Sequence, residues 1–72
     1  MSDNQKNLKL VRRTEVEAMT ALSRSRIYSM MASGSFPKPV KLSERSVAWI
    51  QEEVIAWVNS RIFASRGGIS HA

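Results

Sequence analysis

The chain contains no cysteine. That excludes disulfide staples and every thiolate metal site, and it fits a reducing compartment. Histidine occurs once, at His71 near the end of the chain. Metal sets of the usual His/Cys types therefore cannot be built, and the serines have no base nearby in the pattern. Long apolar runs are missing as well: none approaches the ~20 residues of a membrane span. The opening stretch, Met1-Ser2-Asp3-Asn4-Gln5-Lys6-Asn7, is polar, which argues against a signal peptide and export. Acids are missing from one region: none lies between Ala18 and Ser43, where Arg24, Arg26, Lys38 and Lys41 are found. The expectation is a cytoplasmic protein that is not an enzyme, needs no cofactor or metal and does not enter a membrane.

What remains is a chain of 72 residues with a net charge of +5 and a hydrophobic fraction of 43%. That length suits one domain. Its core must come from about fifteen large apolar side chains, each worth roughly 1.5–3 kcal/mol when buried. The excess of base suits a polyanionic partner, whether DNA, RNA or anionic lipid. The bland alternative is a solvated basic surface.

Residues 1–8 read as a flexible arm, 9–63 as the folded domain and 64–72, with Gly67-Gly68, as a mobile tail. The stretch Leu8-Lys9-Leu10-Val11 suits a short extended segment against the body. Thr14-Glu15-Val16-Glu17 has capping-box spacing and predicts a helix from Thr14 to about Ala21, with Val16 and Met19 on its apolar side. Ser23 predicts the cap of a second helix, and Leu22 and Ile27 have the spacing of a hydrophobic staple. Ile27, Met30 and Met31 form its buried stripe, and Gly34 ends it. Only Thr20-Ala21-Leu22 separates the two helices, so they must cross at an angle, as in a helix-turn-helix.

Phe36-Pro37-Lys38-Pro39 cannot be helical, because two prolines fix φ and remove donors. Beyond it, Val40-Lys41-Leu42 and Val47-Ala48-Trp49 predict a two-stranded hairpin. Val40, Leu42, Val47 and Trp49 are expected inward, Lys41 on the other face and Arg45 near the tip. A third helix is expected from Gln51 to about Ile62. Its apolar face is Val54, Trp57, Val58 and Ile62, with Glu52 and Glu53 in the first turn and Arg61 in the last. The fold class is mainly α with a small β-hairpin: a winged helix-turn-helix of three helices and a two-stranded wing.

The second helix carries the chemistry. Opposite Ile27, Met30 and Met31 lie Ser25, Ser29 and Ala32, flanked by Arg26 and Tyr28, with Arg24 at the first turn. Small residues let a helix approach base edges, and an arginine can reach guanine O6/N7 or a phosphate. Recognition helices present their first turns to the major groove in this way. The candidate DNA-binding residues are Ser23, Arg24, Ser25, Arg26, Tyr28 and Ser29 on this helix. Lys38, Lys41 and Arg45 belong to the wing, set to meet an adjacent phosphate backbone. Ser23 serves first as a cap, and Tyr28 either stacks on the backbone or covers the core edge. Met30, Met31, Trp49 and Trp57 are core.

Three stretches together resemble the AlpA family of phage and mobile-element regulators, and more broadly the MerR-like winged-helix excisionases. They are Leu22-Ser23-Arg24-Ser25-Arg26-Ile27-Tyr28, then Gly34-Ser35-Phe36-Pro37-Lys38-Pro39-Val40-Lys41-Leu42, then Arg45 followed by Trp49 and Glu53-Val54-Ile55-Ala56-Trp57. The resemblance runs from about Leu10 to Arg61. It implies a factor of a prophage or genomic island that binds double-stranded DNA. One role is an excisionase at an attachment site, beside a phage-type integrase that performs strand exchange. The other is a transcriptional regulator of integrase or other element genes. Several copies on adjacent repeats would extend a small footprint. A reading of another class is an inhibitor that docks on a regulatory protein such as a response regulator. Two positions depart from the family pattern: Ala21 stands where members often have glycine, and Ile50 stands where a polar cap usually precedes the third helix.

Overall fold

A computed structural model describes residues 8–67. Most of the expected arm, the tail from Gly68 onward and His71 lie outside the described residues. The elements in chain order are β1 (Leu10–Val11), α1 (Arg13–Thr20), α2 (Arg24–Ala32), β2 (Val40–Ser43), β3 (Ser46–Ile50) and α3 (Gln51–Ser65). Three helices and a β-hairpin form the expected winged helix-turn-helix, mainly α with a small sheet. The extended N-terminal stretch adds a third strand, so the sheet is antiparallel with the order β1-β3-β2. Leu10 stands opposite Ile50 and Val11 opposite Trp49. The Gln51 N–H also donates to the Lys9 carbonyl at 2.7 Å, which ties the start of α3 to β1.

The core consists of Val11, Val16, Ile27, Met30, Phe36, Trp49 and Val54, with Met19, Leu22, Met31, Val47, Trp57 and Val58 packed against it. Every element except β2 contributes a buried side chain, the loop before β2 adds Phe36, and among the described residues no charged or polar residue is buried. Of the stripes expected on the first two helices, Val16, Ile27 and Met30 are buried, and Met19 and Met31 pack partly buried against them.

Capping separates the first two helices into one that matched its local signal and one that did not. Ser23 caps α2: its Oγ accepts from the Arg26 N–H at 3.1 Å. Its far end closes as a Schellman turn, with Gly34 at φ +82°. There Ser35 N–H donates to the Met30 carbonyl at 2.7 Å and Gly34 N–H to Met31 at 3.1 Å. α1 instead starts one residue earlier than expected, with Arg12 as cap and no side-chain hydrogen bond there. Thr14 therefore sits inside the first turn. Glu17 does not reach back to it, because its carboxylate pairs with Arg13 one turn away.

The turn between the helices is built by Thr20. Its hydroxyl donates to the Val16 carbonyl at 2.8 Å and accepts from the Leu22 N–H at 3.1 Å. Ala21 completes it in the left-handed region, at φ 64° and ψ 18°. Glycine's usual geometry is thus kept at this position by a residue that must bear the Cβ penalty.

The hairpin's facing differs from the expectation. Val40 stands opposite Ala48 and Lys41 opposite Val47, with an irregularity between Lys41 and Ser43. Directly opposed residues share a face, so Lys41 lies on the side of Val47 and Trp49, while Val40 lies on the other. Leu42, expected inward, is 47% exposed. The strand's alternation is a period without a phase, and pairing set the phase one residue away from the expected one.

α3 runs three residues past its expected end. Val54 is buried and Trp57 and Val58 pack on the core, but Ile62 is 45% exposed. The helix outruns the body it packs against. Arg61 is consequently not in the last turn; its guanidinium lies 5.0 Å from the centre of the Trp57 ring. No side chain caps the helix at Ile50. No helix among the described residues is long and apolar enough to cross a membrane.

Candidate nucleic-acid interface

The stretch joining α2 to the hairpin determines how the two sit together. It is held by two indoles. Trp57 Nε1 donates to the Ser35 carbonyl at 2.8 Å, and Trp49 Nε1 donates to the Pro37 carbonyl at 3.1 Å. Phe36 is buried between these anchors and meets Trp57 edge-on, with ring centres 4.9 Å apart. Proline at 37 and 39 leaves no N–H to satisfy at those points. A loop this constrained holds the wing at a defined place beside the helix.

Between them lies an open hollow lined by Arg12, Arg13, Thr14, Tyr28, Arg45 and Val47. Tyr28 comes from α2, Arg45 from the hairpin tip, and the first three from the start of α1. Arg12 is oriented by its Nη1, which donates to the Val47 carbonyl at 3.3 Å. Arg13 is partly neutralised by Glu17, the one ion pair among the described residues. The Arg24 guanidinium lies 5.7 Å from the centre of the Tyr28 ring. Three arginines and the uncapped first turn of a helix make the hollow cationic and rich in donors, the chemistry that suits an anionic oxygen.

The remaining expected residues stand around it. Arg24, Ser25, Arg26 and Ser29 are exposed on α2, and Ser23 is exposed while it caps. Lys41 is exposed on the hairpin face that carries Val47, so it shares the side of the hollow. Lys38 is exposed in the proline segment and does not line the hollow. None of these cations forms an ion pair among the described residues.

Residues 9–62 match the sequence pattern of the family described as "Prophage CP4-57 regulatory protein (AlpA)". The chain belongs to the AlpA family. It is also similar to "Uncharacterized protein ORF88" of Enterobacteria phage P4, with 40% identity over 60 residues, covering 83% of this chain and 68% of that one. Membership makes it a phage-type regulatory protein. The matched region includes both helices of the helix-turn-helix, the proline segment, the hairpin and most of α3.

Arg12 and Arg13 were not among the residues expected at this surface. Their adjacency was a readable signal, but Glu15 and Glu17 follow at once and make the local charge look balanced. Only the fold separates them, by turning Glu17 onto Arg13 and leaving Arg12 to bridge toward the wing.

Proposed function

We propose that this AlpA-family protein binds double-stranded DNA sequence-specifically and acts as an excisionase of a prophage or genomic island, promoting integrase-mediated excision at the attachment site. One observation carries the DNA reading. Tyr28 of α2 and Arg45 of the wing line a single cationic hollow with Arg12 and Arg13, beside the exposed Arg24 and Arg26. B-DNA carries a negative charge about every 1.7 Å of its axis, and its major groove, about 12 Å wide, admits one helix.

In this reading α2 enters the groove by its first turns. Arg24 and Arg26 reach base edges or phosphates, Ser25 and Ser29 permit close approach, and Ser23 holds the helix start. Lys41 and Arg45 meet one phosphate backbone, with Lys38 nearby on the loop. A phosphate seated in the hollow takes charge from Arg12 and Arg13 and stacks its sugar on Tyr28. The protein holds and shapes the duplex in the cytoplasm, several copies bind adjacent repeats, and strand exchange belongs to the integrase.

Footprinting across the element's attachment region and its integrase promoter tests this, paired with excision assays. Protection of repeats in the attachment region, with excision that depends on the protein, is the expected result. The word "regulatory" in the family's description favours a second reading, transcriptional control of integrase or other element genes. In that case excision is unchanged when integrase is supplied independently. An inability to tell the element's DNA from random duplex overturns both, and favours a protein partner such as a response regulator.

A further inference from the structure

α3 carries a second surface that no part of the DNA reading uses. Ile55, Ile62 and Phe63 are large apolar side chains at 42%, 45% and 58% exposure. On the helix they fall along one flank together with the exposed Glu52 and Asn59, and the exposed Arg66 follows as the cap just past its end. Glu52, Ile55, Asn59, Ile62 and Arg66 alternate in spacings of three and four residues, the pattern of a helix–helix seam. Val54 and Trp57, which face the core, are not part of it. Beside the stripe, Met19 of α1 joins Ile55, Val58 and Asn59 around a shallow hollow. Among the described residues Glu52 and Arg66 form no ion pair, and Asn59 makes no side-chain hydrogen bond.

The stripe is self-complementary. Glu52 and Arg66 lie equally far from Asn59 along the chain, on opposite sides of it, and so do Ile55 and Phe63, with Ile62 next to Phe63. A second α3 laid antiparallel, with the two-fold axis at Asn59, sets each acid against the other copy's arginine and Ile55 against Ile62 and Phe63. The two Asn59 amides meet at the axis, where each can donate and accept. Parallel pairing would set Glu52 against Glu52 and arginine against arginine. Charge therefore selects both the occupant and its direction, and an isologous two-fold contact is the commonest way for identical chains to close.

We infer that the chain forms a two-fold homodimer through antiparallel packing of α3 on α3. Such a seam is short and belongs with small, transient interfaces. The dimer therefore forms at high protein concentration in free solution. No stripe residue is among those assigned to DNA, so the inference stands or falls apart from the DNA reading.

Sedimentation equilibrium of the full chain without DNA, over a wide concentration series, tests it. The expected result is a monomer–dimer equilibrium. Ile62→Asp raises the dimer dissociation constant at least about tenfold, because each charge meets an apolar partner. Glu52→Arg and Arg66→Glu each raise it roughly threefold, since each turns two attractive pairs into like-charge pairs. The double variant carrying both changes returns it toward the original value. Circular dichroism and Tm of each variant separate loss of pairing from loss of fold. A monomeric mass at every concentration overturns the inference. A dimer indifferent to all of these substitutions overturns it too, because the contact then lies elsewhere.

Discussion

Tyr28 of the second helix and Arg45 of the hairpin tip line the same hollow, although they come from different elements joined by a proline loop. That relationship brings helix and wing to one hollow, and the proposed DNA reading gives the surrounding cations different tasks. Arg26 lies on the helix face and Lys41 and Arg45 on the wing. Arg26→Ala should cost about 1–3 kcal/mol of binding and relax sequence preference. Lys41→Ala and Arg45→Ala should each weaken all duplexes alike and reduce the salt slope by about one. Gel shifts on matched and scrambled duplexes over a salt series check both. Unchanged binding in all three variants would remove the assigned face.

Glu17 limits the hollow's charge by pairing with Arg13. Glu17→Gln frees that guanidinium and removes a negative charge beside the proposed phosphate path. Affinity for random duplex should rise several-fold at low salt, with the gain fading as salt screens it. The same measurement on Arg13→Ala should move in the opposite direction.

The parts of the fold that were legible in the sequence are those governed by local chemistry. Ser23 was readable as a cap because a cap needs only the residues that follow it, and Gly34 as a stop because positive φ is a property of one position. The proline segment was readable for the same reason. The hairpin's facing was not, because Lys41 and Leu42 exchange sides if pairing slips by one residue. Thr14 mimicked a cap because Glu17 has both capping-box spacing to Thr14 and i, i+4 spacing to Arg13, and the sequence does not rank the two. Ile62 mimicked a core residue because periodicity does not reveal where the body ends. Of the candidate site, Tyr28 and Arg45 are the residues read from the sequence that line the hollow, while the contribution of Arg12 depends on a long-range bond to the Val47 carbonyl.

Ala21 occupies the left-handed region at φ 64°. A Cβ there costs about 1–2 kcal/mol, while glycine's extra freedom in the unfolded chain takes back about 0.4–1 kcal/mol. Ala21→Gly should therefore stabilise the protein by about 0.5–1 kcal/mol and raise Tm by a few degrees, measured by thermal denaturation. DNA affinity should not change.

The two indole anchors differ in burial, since Trp49 is fully buried and Trp57 only partly. Trp57→Phe loses one hydrogen bond to a carbonyl that water can reach, a cost of about 0.5–1.5 kcal/mol. Trp49→Phe leaves both a void and a less accessible carbonyl, a cost of about 2–4 kcal/mol. Urea denaturation should rank them in that order, and equal losses would show that the loop is not held as described.

Amide chemical-shift mapping during titration with the footprinted duplex tests the shared surface most directly. The largest changes should fall at the start of α1 around Arg12 and Arg13, along α2 from Ser23 to Ser29, and on the hairpin from Lys41 to Arg45. Changes confined to α3, or to α2 with the hairpin silent, would contradict a single face made of helix and wing.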